Sequence, residues 1–120
     1  MDADGLADLA ERTLDGEGRD QGELSISFVT PEEISALHQR YMHEPGPTDV
    51  LSFPLDEDGL LGDVVICPEV AADHNPNVED ELRLLVVHGV LHLLGYDHEE
   101  DAERAEMWAR QERYSGVRAP

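Results

Sequence analysis

The sequence predicts an α/β chain of the α+β type, a small mixed β-sheet with surrounding helices. Three observations lead there. Glu23 to Val29, Asp49 to Phe53 and Leu60 to Cys67 read as strands. A helix-patterned stretch between the first two favours a parallel, right-handed crossover, whereas turn residues between the second and third favour a hairpin, so the sheet is mixed. Finally, Val78 to Leu94 is apolar around nearly its whole circumference, as a buried central helix is.

The elements follow in order. Asp4 can cap a first helix in which Leu6, Leu9, Ala10 and Leu14 recur at helical spacing, and Gly16 and Gly18 end it. Leu24, Ile26 and Phe28 alternate with polar neighbours, the pattern of a half-buried strand. Thr30, Pro31 and Glu33 form a capping box with proline at the first helical position, opening a helix that buries Ile34, Leu37 and Tyr41. Glu44 to Thr48 is a rigid loop, and Pro54 ends the strand after it. Asp56 to Gly59 supply the hairpin turn. Pro68 starts a short helix that Asn75 and Pro76 terminate. The central helix carries acids in its first turn, and Gly95 stops it. A last helix, Glu99 to Tyr114, turns Ala105, Met107 and Trp108 inward, with Trp108 as a core anchor.

A chain of 120 residues suits one domain with one modest core. No apolar stretch is long enough to span a bilayer and no basic start precedes an apolar run, so a soluble, cytoplasmic protein with no membrane partner is expected. The single cysteine, Cys67, ends an apolar run and reads as a buried inert thiol. The formal charge is −20, from 28 acidic residues against 8 basic ones, all of them arginine. Such a surface repels polyanions at long range, so any nucleic-acid role rests on a local site.

That site is H-G-V-L-H-L-L-G-Y-D-H, residues 88 to 98. His88 and His92 are one helical turn apart, so both imidazoles leave the same face and can meet one ion. Gly95 then breaks the helix, and the chain can double back through Tyr96 and Asp97 to bring His98 to the same point. Three neutral nitrogen ligands leave zinc an open position for water, the arrangement of a catalytic centre. Asp97 can orient a ligand or cap the next helix, and Tyr96 can be a hydrogen-bonded core residue. The same histidine frame belongs to metzincin peptidases, but Gly89 stands where they place their glutamate base, so a metallopeptidase is a weak alternative.

Together with P-T-D-V-L-S-F-P at 47 to 54 and L-G-D-V-V-I at 61 to 66, the histidine segment resembles the YbeY family of rRNA maturation factors, over residues 23 to 114. The resemblance implies one zinc per chain on the histidine motif and a zincin-like arrangement, with residues 1 to 120 forming one metal-dependent endoribonuclease domain. It also implies single-strand-specific cleavage in 16S rRNA 3′-end maturation and ribosome quality control, with the ribosome or a ribosomal protein as partner. Two departures stand out. Many family members carry an arginine directly after the residue that is Tyr41 here, thought to serve the RNA substrate; this chain has Met42. The family also usually begins with another strand, so either the sheet is one strand smaller or the N-terminus is truncated.

On this reading zinc activates water or polarises a phosphoryl oxygen, and Asp97 or Asp63 positions a ligand or water, Asp63 only if its strand reaches the metal. Thr48 and Ser52 can line a groove beside the metal, and Arg40 and Arg83 are the nearest candidate cations in sequence. The competing expectation is a zinc-stabilised ribosome-assembly adaptor that cuts no bond.

Overall fold

The computed structural model describes residues 3–19, 23–57, 60–96 and 100–117. Its elements are α1 (Ala3–Gly16), β1 (Glu23–Phe28), α2 (Pro31–Met42), β2 (Val50–Glu57), β3 (Leu60–Ile66), α3 (Pro68–His74), α4 (Val78–Leu93) and α5 (Asp101–Ser115). Helix α1 buries the stripe Leu6, Leu9, Ala10, Thr13 and Leu14. It starts one residue before Asp4, so that carboxylate does not cap the helix; it sits in the first turn, where its charge still complements the positive end. Strand β1 shows the expected alternation of half-buried and exposed residues.

Helix α2 opens on the full capping box: Thr30 Oγ1 accepts from the Glu33 amide, and the Glu33 carboxylate accepts from the Thr30 amide, each at 3.2 Å. Only its first turns pack on the sheet. Ile34 is fully buried and Leu37 half-buried, against Leu51, Val65 and Cys67, but Tyr41 is 53% exposed. The expectation that Tyr41 is buried therefore fails, because its ring reaches only the edge of Phe53, at 5.2 Å between centroids. The loop that follows is tied to the helix by His38, whose ring meets the Gly46 carbonyl and the Glu44 carboxylate, each at 3.0 Å.

The sheet is mixed, as expected, but its order is β1-β3-β2. Strand β3 lies in the middle, parallel to β1 and antiparallel to β2. The expected parallel neighbours β1 and β2 are therefore not neighbours. The hairpin lays β3 beside β1, and the parallel crossover runs from β1 to β3 instead. Nor does Pro54 end β2, which continues to Glu57. Because β2 is an edge strand, a residue without an amide hydrogen is tolerated there.

Helix α4 packs on the sheet face that carries Val64 and Ile66, flanked by α1, with Leu82, Leu85, Val86 and Val90 turned inward. Val87 and Leu91 face a second cluster with Leu9 of α1 and Met107 of α5. Trp108 borders this cluster as anticipated, whereas Ala105 is exposed because the buried stripe of α5 runs Met107, Gln111, Ser115 at four-residue spacing. Cys67 is buried and unpaired. Among the described residues no helix is long and apolar enough to cross a membrane.

Candidate metal centre

The histidine pair sits in the second half of α4, on either side of Gly89, which packs against the sheet. The rings of His88 and His92 lie 4.8 Å apart, edge to face at 73°, as the one-turn spacing requires. On its other side His88 meets Trp108 edge-on at 6.0 Å. Its Nδ1 is hydrogen-bonded to Oε1 of the buried Gln111 on α5. An amide oxygen only accepts, so Nδ1 is the donor in this bond; in a neutral ring with that tautomer the nitrogen that would ligate a metal is Nε2. Gln111 went unnoticed in the sequence. Its signal was a polar residue four positions after Met107, on the buried stripe.

The turn after α4 is built for reversal. Gly95 adopts φ +101, a conformation that favours glycine, and the Tyr96 amide folds back onto the Leu91 carbonyl at 3.1 Å. Tyr96 then donates to Glu17 Oε1 at 2.6 Å. Tyr114 and Arg110 converge on Oε2 of the same carboxylate, so α1, the turn and α5 are pinned at one point. Burial pushes Glu17 toward neutrality, but the hydrogen bonds from Tyr114, Tyr96 and Arg110 outweigh it and hold the carboxyl below its ordinary 4.5. The same hydrogen bond to Glu17, with burial, pushes Tyr96 up to about 12. Asp97 and His98 follow directly and lie outside the described residues.

Gly89 has a packing reason. A Cβ there would come within 2.6 Å of Val64 and 3.4 Å of the Ser52 hydroxyl, so α4 seats on the sheet only where this residue has no side chain. A glutamate at this position would also start toward the sheet. Ser52 is on the same face, and its hydroxyl donates at 3.4 Å to the carbonyl of Gly89, the residue that follows His88.

The other candidates separate. Asp63 pairs across the sheet with Phe53 and accepts from the Ser25 hydroxyl. It alternates with Val64, so it points to the α2 side and away from α4, and its strand does not bring it to the histidines. Arg83 is also not turned to that site: Nε and Nη2 both donate to the Ser115 carbonyl at the end of α5, at 3.1 and 2.9 Å. Arg40 is exposed with its guanidinium 5.4 Å from the Tyr41 ring, and Met42 beside it is exposed. Thr48 is half-buried in the loop before β2.

A second cluster was invisible in the sequence. Asp49, His74 and Glu81 offer ligand atoms that all lie within 4.8 Å of one another. Glu81 lies among the acids of the first turn of α4, yet its residue exposure is 6%. Burial first, and the neighbouring Asp49 second, push its carboxyl above the usual range, with His74 offsetting part of this. The cluster lies in a cleft of about 320 Å³ that is also lined by His88, Trp108 and Gln111.

A family model described as Endoribonuclease YbeY matches residues 2–116. An Endoribonuclease YbeY of Beutenbergia cavernae is 53% identical over 103 residues, covering 73% of this chain and 69% of that protein. That of Thermobifida fusca is 48% identical over 126 residues, covering 92% and 81%. The solution structure of TM1509 from Thermotoga maritima superposes with a TM-score of 0.67 at 38% identity, covering 93% of this chain and 77% of that one.

Proposed function

This chain belongs to the YbeY family, and we propose that it is a zinc-dependent, single-strand-specific endoribonuclease of 16S rRNA 3′-end maturation and ribosome quality control. The observation that carries the reading is the paired imidazoles of His88 and His92 on one face of α4, with the His88 ring held through Nδ1 by Gln111. One zinc per chain would be held by His88, His92 and His98; when bound there it polarises a phosphoryl oxygen and lowers the pKa of its water. The chain's own residues do the rest. Gln111 and Trp108 hold the His88 ring, and the Glu17 knot anchors the turn that leads to Asp97 and His98. Asp97 orients a ligand or water, and Thr48, Ser52 and Arg40 are offered as groove residues. Gly89 leaves no carboxylate at the peptidase position, which favours phosphodiester over peptide hydrolysis.

Residues 1–120 act in this reading as one endoribonuclease domain in the cytoplasm. With a net charge of −20, a basic ribosomal protein is a fitting partner to bring single-stranded rRNA within reach. The test is metal analysis with single-stranded RNA cleavage on the wild type and on His92→Ala, with and without chelator. We expect one zinc per chain, cleavage lost on chelation and restored by zinc, and neither tight zinc nor cleavage in His92→Ala. Wild-type cleavage that persists unchanged after verified metal removal overturns the reading.

A further inference from the structure

We propose that Asp49, His74 and Glu81 form a second divalent-cation site, separate from the histidine centre but opening into the same cleft. Three elements supply it: the bend before β2, the last residue of α3 and the first turn of α4. His74 Nδ1 lies 3.3 Å from Asp49 Oδ2 and 4.0 Å from Glu81 Oε2. Metal–ligand bonds of about 2.1 Å put adjacent ligand atoms about 3 Å apart and opposite ones about 4.2 Å apart, so only small side-chain rotations close this set on an ion.

The independent observation is Glu81 itself. Its side chain is 9% exposed, it borders the cleft, and among the described residues none donates a hydrogen bond to it; the one basic side chain near it there is His74, at 4.0 Å, the edge of ion-pair range. Buried carboxylates are held by donors or by metals, and here the buried Glu81 and the half-buried Asp49 flank a single imidazole. The chain has no lysine to fill the gap, and Arg83, two residues on, is committed to Ser115. Two hard oxygen ligands, one imidazole and open water positions on the half-exposed His74 side suit Mn²⁺ better than a closed zinc site.

Glu81 and His88 lie two turns apart on one face of α4, about 10 Å along the axis. Ions that share a substrate oxygen sit about 4 Å apart, so this is not the second half of a two-metal centre. It would place positive charge at the far end of the cleft in a chain of net −20. For a phosphate-bearing strand that charge stands in for the cation missing at Met42, a consequence that rests on the nuclease reading, whereas the binding does not.

The experiment is a Mn²⁺ titration of chelator-treated protein reloaded with one equivalent of zinc, with free Mn²⁺ followed by electron paramagnetic resonance and folding checked by circular dichroism. One further Mn²⁺ per chain is expected. Glu81→Gln and His74→Ala, the latter half-exposed and so harmless to folding, should each weaken it at least about tenfold. His92→Ala should keep it, whether or not RNA is cleaved. No Mn²⁺ bound beyond the histidine centre, equal binding by both cluster variants, or loss of Mn²⁺ in His92→Ala alone overturns the proposal.

Discussion

Glu17 and Glu81 are carboxylates withdrawn from solvent to nearly the same degree, with side chains 6% and 9% exposed. Their surroundings differ completely. Glu17 accepts from two phenols and a guanidinium, and those donors overcome the cost of burial and hold it ionised. Glu81 has burial and a second carboxylate against it, and one imidazole in its favour. Burial therefore does not separate structural from functional charge; satisfaction does. The first group is completed by the fold, and the second is left open beside a cleft.

The largest effect follows from the completed site. Glu17→Ala leaves two phenols without their acceptor and Arg110 with Glu106 as its remaining partner, and should cost about 3 kcal/mol in urea unfolding. The charge-dependent part of that difference has a definite sign. A carboxyl whose folded pKa lies below 4.5 contributes stability that is fully present above 4.5 and is lost as pH falls through the folded value. Unfolding of wild type and Glu17→Gln from pH 7 to pH 3 should show their gap narrowing only below about pH 4.5. A gap that does not change with pH would mean Glu17 is held by packing, not by its charge.

A smaller effect is expected at the single bond between Gln111 and His88. Gln111→Leu keeps the volume near Met107 but removes the acceptor for Nδ1, and zinc affinity should fall about tenfold. Unchanged affinity in competition with a chelator would mean the His88 tautomer is set elsewhere. The smallest effect is at the open site. In metal-free protein at pH 7, Glu81→Gln should change stability by less than about 1 kcal/mol, toward greater stability, since the ionised form is the disfavoured one. A loss as large as that of Glu17→Ala would show that Glu81 is structurally completed after all.

Local signals were legible because they act between near neighbours. The Thr30 capping box, the stop at Gly95, the short helix from Pro68 and the histidine pair all follow from residues within one or two turns, and each has the form expected. Burial was less legible at element ends. Tyr41 and Ala105 carry apolar side chains on the helical pattern, but Tyr41 meets the sheet only at the Phe53 ring and both stay exposed. Pro54 misled for a related reason, since a strand-ending residue in a central strand is harmless at an edge.

What the amino-acid order settled was therefore the content of the chain: its elements, its apolar central helix, two imidazoles on one helix face, and a family resemblance carried by three motifs. What folding in three dimensions settled was arrangement. Strand order, the turning of Asp63 and Arg83 away from the histidines, the clasp of His88 by Gln111, and the meeting of Asp49, His74 and Glu81 depend on contacts between residues far apart along the chain. Periodicity tells a side chain which way to leave its own helix or strand. It does not tell which other element will be waiting there.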